Sequence, residues 1–196
     1  MFRVAFVGVD NPHGSGWRDL LDNVQDQLEI VALVPGYEGG TTSLEERYAD
    51  LPRFETVDAL LAGCEFDGAV VCLSNQQGPE VLCQLAAAGK HLVIEKPVGI
   101  DLEGVRRVEK AVNNSGVSAL VCFEVKVVGH FKTMRAMIDQ GLLGDIHYGE
   151  CDYYHGIGPW YDQFGWNKRK DFGGSSLLTA GCHALDGLIW LMGNRP

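Results

Sequence analysis

A doubly wound α/β fold is predicted by three features of the first 123 residues: short apolar runs recur, amphipathic helical stretches separate them, and glycine or proline marks the changeovers. Residues 4–9 form a continuous apolar run, the pattern of a strand buried on both faces of a parallel sheet. A turn rich in Gly, Asn, Pro and His follows, then a helical stretch carried by Trp17, Leu20, Leu21, Val24 and Leu28. Residues 30–34 read as the next strand, and Ser43 with Glu46 three residues later as a capping box that opens a short helix. Further strands are predicted over 69–73, 91–94 and 119–123. Helices are predicted over 79–88, closed by Gly89, and from an Asp101 cap to about Asn114. This alternation calls for right-handed crossovers.

The rhythm then changes. A helix over 131–140 ends at Gly141, and residues 145–155 read as a longer strand with a mixed polar and aromatic face. The glycine- and aromatic-rich stretch 156–174 reads as a loop, and 175–192 as a helix stopped by Gly193 and Pro196. One long strand is not stable alone. The expectation is therefore a piece of a two-domain protein, or a sheet completed by another subunit. No repeat, low-complexity segment or flexible linker is evident.

Composition narrows the partners. With 46% hydrophobic and 21% charged residues the chain is neither collagen-like, coiled-coil nor disordered. The 25 glycines are nearly twice the usual share of roughly 7%, so many backbone positions call for tight turns or close approach. The formal charge of -10 argues against nucleic acid and anionic membranes, and the one dense basic run, Lys168-Arg169-Lys170, is too short to reverse that. The six cysteines (Cys64, Cys72, Cys83, Cys122, Cys151, Cys182) show neither C-x-x-C nor finger spacing, so they read as reduced structural thiols with no metal. The N-terminal apolar run is too short for a signal peptide, and no stretch approaches the roughly 20 apolar residues of a membrane span. A soluble cytoplasmic protein is expected.

Four places carry residues suited to chemistry. The first turn, Gly8-Val9-Asp10-Asn11-Pro12-His13-Gly14-Ser15-Gly16, lies where doubly wound folds bind phosphate, although Asp10 and His13 replace two glycines of G-x-G-x-x-G. A glycine-rich turn with no ligand is the alternative reading of that motif. The second strand runs into Pro35 and Glu38. Glu38 would suit an adenosine ribose, and Arg47 or Arg53 a 2'-phosphate, so NAD and NADP both stay open. Glu95-Lys96-Pro97 follows a strand directly, which puts Lys96 at the carboxyl edge of the sheet as a hydrogen-bond donor or a base. Thr179, His183, Asp186 and Trp190 share a helical face, with His183 a candidate general base that Asp186 could orient. The aromatic stretch from Trp160 to Trp166 could wall a sugar-like substrate or simply pack.

Taken together, these residues resemble the glucose–fructose oxidoreductase, inositol dehydrogenase and MocA (Gfo/Idh/MocA) family of nicotinamide-dependent oxidoreductases. The likeness rests on the opening strand into Gly8, on Leu73-Ser74-Asn75 followed by Ala88-Gly89-Lys90-His91, and on Glu95-Lys96-Pro97. It continues in Gly141 with Gly144-Asp145-Ile146, and in Gly173-Gly174 through Ala180-Gly181-Cys182-His183-Ala184-Leu185-Asp186. The resemblance implies a Rossmann-type dinucleotide-binding domain over 1–122 and, over 123–196, the start of an α+β substrate and oligomerisation domain, apparently truncated at its C-terminus. It implies an NAD or NADP cofactor along Gly8, Asn11, His13, Leu73, Ser74, Asn75, Glu95 and Lys96. It also implies a sugar, cyclitol or related polyol near Trp166, Thr179, His183 and Asp186, with Lys96 and His183 as the catalytic pair in hydride transfer. A homo-oligomer through the second-domain sheet goes with it. The chain departs from the family at Asp10, at His13 and at Thr179, which stands where many members carry an aspartate, and it stops at Pro196. Those departures favour one alternative, a non-catalytic dinucleotide- or sugar-binding homologue, and the resemblance itself adds another, an NAD-dependent glycoside hydrolase, since some relatives of the family are of that kind.

Overall fold

The computed structural model describes residues 1–8, 13–35, 48–156 and 165–193. They form two compact units, one built from Met1–Val121 with the segment that ends at Gly174, the other from Cys122–Gly156 with the segment that starts at Ser175.

The first unit is a five-stranded sheet in the order β2-β1-β3-β4-β5. Its strands are β1 (Phe2–Val7), β2 (Leu28–Val34), β3 (Gly68–Val71), β4 (His91–Glu95) and β5 (Ala119–Cys122). β1 pairs in parallel with both β2 and β3, and β3 in parallel with β4, with Val7 opposite Val34 and Val71, and Val71 opposite Ile94. The chain leaves β1 toward β2 and returns on the other side to β3, so the strand order reverses at the carboxyl ends of β1 and β3. Ligands of open α/β sheets bind at such a crevice.

Helices α1 (Gly14–Asp22), α2 (Val57–Gly63), α3 (Gly78–Ala87) and α4 (Leu102–Ser115) lie along the chain between the strands. Alternate strand residues divide between two apolar cores. Ala5, Val7, Ala69 and Val71 join Leu60, Leu82 and Leu85, while Val4, Phe6, Val70 and Cys72 join Leu21 and Leu33. Burial on both faces explains why β1 and β3 read as unbroken apolar runs. The local signals act as expected at α4, where the Asp101 carboxylate accepts from Gly104 N at 2.7 Å and Gly116, at φ +67°, ends the helix.

Three details of the first unit differ from the sequence reading. Leu28 belongs to β2 rather than to the preceding helix, because it pairs with Phe2 across the sheet and that pairing overrides its helical spacing. Helix α2 was not anticipated; Thr56 caps it by accepting from Ala59 N at 3.1 Å. Within the predicted loop 156–174, residues Gly165–Lys168 form a 3-10 turn and Lys170–Gly173 a short helix, α6. The capping box at Ser43 and Glu46 lies outside the described residues.

The second unit opens with a 3-10 turn (Glu124–Val127) and helix α5 (Gly129–Asp139), and ends with a π-helical turn (Leu177–Gly181) that runs into α7 (Cys182–Met192). Gly141 and Gly193, at φ +69° and +75°, stop the two helices where expected. Phe131 of α5 meets α7 at Gly187, where a Cβ would come within 2.7 Å of its ring. Arg135 donates to the terminal carbonyls of Trp190 and Leu191 at 3.1 and 3.2 Å, capping α7 from the side. The strand expected over 145–155 does not form. A strand is defined by its ladder, and the described residues of this unit offer no second strand to pair with.

Candidate functional site

Two constellations emerge, one in each unit. In the first, the sheet's carboxyl ends are shaped by Gly8, Leu73 and Glu95. Gly8 has φ +80°, and a Cβ there would run into the Leu73 side chain and approach the Cys72 carbonyl oxygen to 2.5 Å. Only glycine lets β1 leave the sheet so close to the end of β3, which keeps bare backbone at the reversal of strand order. Helix α1 then starts at Gly14 with no side-chain cap and no acid in its first turn, so its positive end carries no counter-charge from those positions. Asn11 and Asp10 lie outside the described residues.

His13 occupies a glycine position of the fingerprint, and the structure gives it a bracing role. Its Nδ1 donates to Glu95 Oε1 at 3.0 Å, and Trp17 Nε1 donates to Glu95 Oε2 at 2.6 Å. One buried carboxylate at the end of β4 thus holds the first turn of α1. Ser74 Oγ donates to Gln77 at 2.8 Å, and the buried Asn75 amide donates to the Gly173 carbonyl at 2.9 Å. Lys96 follows directly, buried, with a cis bond to Pro97. Trp166, also buried, lies on the Gly165–Lys168 turn. These glycines, amides and helix N-terminus fit a bound dinucleotide: Gly8 puts no side chain at the turn out of β1, α1 starts just beyond it, and the buried Lys96 lies at the end of β4.

Among the described residues of the second unit His183 has the most deeply buried side chain, at 1% exposure. The Tyr153 ring stacks on its imidazole at 5.3 Å, and Phe123 meets its edge at 6.2 Å. The carboxylate beside it is Glu124, whose Oε1 lies 3.6 Å from Nε2. Asp186, expected to orient the imidazole, instead accepts from Lys126 at 3.2 Å. Thr179 turns its hydroxyl to the Ser175 carbonyl at 3.2 Å. The π turn between them takes more residues than an α turn, so Thr179 and His183 leave the simple i, i+4 register read from sequence. Burial pushes the Tyr153 hydroxyl above its ordinary pKa, and the charges of Glu124 and Cys182 add to the rise.

Glu124, Lys126 and Tyr153 were missed in the sequence. A usable signal existed for the first two, which follow the carboxyl end of β5, the edge where α/β sheets place functional groups. Tyr153 had none, because its segment read as a strand. Among the described residues no group of three His, Cys, Asp or Glu could hold a metal ion, and no helix is long and apolar enough to cross a membrane. None of the six cysteines is in a disulfide.

Residues 2–123 match the family described as an oxidoreductase family with an NAD-binding Rossmann fold, and residues 131–196 match the GFO/IDH/MocA C-terminal domain. The chain is 28% identical over 117 residues to the inositol 2-dehydrogenase of Rhizobium meliloti, which covers 60% of this chain and 35% of that protein. It is 25% identical over 196 residues to the D-glucoside 3-dehydrogenase of Escherichia coli, covering 97% of this chain and 54% of that one. It therefore spans about half or less of the length of these relatives. The crystal structure of the WlbA dehydrogenase from Bordetella pertussis, in complex with NADH and UDP-GlcNAcA, has the same fold over 97% of this chain and 55% of its own, with a TM-score of 0.85 at 21% identity. With both family segments in one chain and a parallel sheet that reverses its strand order at Gly8, the protein belongs to the Gfo/Idh/MocA oxidoreductase family, whose cofactors are the nicotinamide dinucleotides.

Proposed function

We propose that the protein is a dehydrogenase that acts on a CH–OH group of a sugar, cyclitol or related polyol. The observation that carries this reading is His183, an imidazole sealed by two aromatic rings with a carboxylate at ion-pair distance, on a chain that also carries a buried lysine at the end of β4. The names of the relatives, an inositol and a glucoside dehydrogenase, support the substrate class.

The nicotinamide ring, when bound, supplies the hydride acceptor. The backbone at Gly8, the start of α1 and the turn Leu73-Ser74-Asn75 would hold the dinucleotide, together with Asn11, His13, Glu95 and Lys96. His183 is the proposed acceptor of the substrate hydroxyl proton, and Lys96 the proposed cationic donor that offsets negative charge as it builds on oxygen. Trp166, Thr179 and Asp186 are proposed to border the substrate. A second subunit is proposed to complete the region over 145–155, where Tyr154 is exposed, with Leu142 and Leu143 exposed just before it. Six cysteines without a disulfide favour a reducing, cytoplasmic setting.

A screen of polyols with NAD and NADP tests the reading. His183→Ala and Lys96→Ala should each lower turnover by about 10²–10⁴-fold with dinucleotide binding kept. Full activity in either variant removes that residue from the chemistry, and dinucleotide binding with no turnover on any polyol favours the non-catalytic homologue.

A further inference from the structure

The sequence reading did not include Glu124, yet the fold brings its carboxylate to 3.6 Å from His183 Nε2. We propose that Glu124 is the positioning residue of His183: it holds the imidazole by its Nε2 edge and favours the protonated ring.

Three observations carry this. First, the ring plane is fixed by Tyr153, stacked at an interplanar angle of 29°, and by Phe123, edge-on at 86°. Aromatic packing sets the plane but not the charge. Second, Glu124 Oε1 lies 3.6 Å from Nε2, and Glu124 is 48% exposed while His183 is 1% exposed. The carboxylate keeps part of its hydration and still faces a ring that has lost its own, so charge on the ring depends on this neighbour. Third, Asp186, the acid on the same helix as His183, is paired with Lys126 at 3.2 Å. Among the described residues, the other titratable groups around this cluster are Tyr153, stacked on the imidazole, His155, stacked on Tyr153 at 5.8 Å, and Cys182, the neighbour of His183 in α7.

The kinetic half of the inference rests on the reading of His183 as the proton acceptor; the structural half does not. An imidazolium favoured by Glu124 gives up its proton at higher pH, so the acidic limb of kcat/KM for alcohol oxidation lies higher than it would without the carboxylate.

The test is an NMR titration of the His183 ring in the whole chain. Glu124→Gln keeps the side chain's shape and removes its charge, and should move the His183 titration midpoint down by about one pH unit. Glu124→Asp should recover part of that shift. The acidic limb of kcat/KM should follow the same order, with KM little changed. In the unsubstituted protein the Glu124 carboxyl carbon should show an inflection at the His183 midpoint, as interacting groups do. An unchanged midpoint in folded Glu124→Gln protein overturns the proposal, as does a Glu124 curve with no inflection there. Absence of turnover counts against the dehydrogenase reading alone, because the titration needs no substrate.

Discussion

The two units are held together by different means. In the first, five strands share a ladder, and both faces of the sheet carry an apolar core in which Phe6, Leu33, Leu60 and Leu85 are at most 1% exposed. In the second, no strand forms among the described residues, and Phe131 is the one buried large apolar side chain there. Polar reach and bare glycine compensate: Arg135 spans to the last carbonyls of α7, and Phe131 sits against Gly187. The half that suits a dinucleotide is self-contained. The half that presents the imidazole spends its deepest burial on His183, a polar side chain, rather than on a core of its own.

The largest effect should therefore come from the sheet. Phe6→Ala removes a ring that is 1% exposed and should cost about 3–5 kcal/mol in chemical denaturation. Phe131→Ala should cost less and leave dinucleotide binding intact; equal losses would break the contrast between the units. Next comes Gly8→Ala, which sets a side chain at φ +80° against Leu73 and the Cys72 carbonyl. A loss of about 1–3 kcal/mol is expected, with weaker NADH binding by calorimetry. Unaltered affinity would mean that the backbone at Gly8 makes no close approach to the ligand.

Glu95→Gln sharpens the comparison further, because one of the two donors on that buried carboxylate loses its ideal acceptor. About 1–3 kcal/mol should be lost from the first unit in thermal or denaturant unfolding. The acid transition of the second unit should not change. The smallest effect belongs to Asp67. Hydrogen bonds from the Arg3 side chain and backbone hold its carboxyl below the ordinary value. A depressed carboxylate stabilises the fold above its unfolded pKa and loses that contribution as pH falls through the folded one. Asp67→Asn should thus lower the melting temperature slightly at neutral pH, with the difference vanishing in acid. A difference that grows in acid would reverse the sign.

What could be read in advance follows the same division. The strands of the first unit were legible because burial on both faces writes itself as unbroken apolar runs, as in residues 4–7 and 69–71. Caps such as Asp101 and stops such as Gly116 act through local hydrogen bonds and backbone freedom, and both stood in the sequence. The expected strand over 145–155 failed because strand formation depends on a partner, which no local pattern supplies. The placement of Lys96 directly after a strand and of His183 on a helix was legible as well. The partners of His183 were not. Asp186 was nearest along the helix, but Lys126 captures it, and Glu124 arrives from a turn some 60 residues earlier in the chain. The tie between His13 and Glu95 was hidden in the same way, since 82 residues separate them.

The most direct measurement is a calorimetric titration of the purified protein, Gly8→Ala and His183→Ala with NADH and then NADPH. Micromolar binding of one dinucleotide by the protein and by His183→Ala, weakened in Gly8→Ala, is the predicted result. A folded protein that binds neither would contradict the assignment of the first unit as a working dinucleotide site.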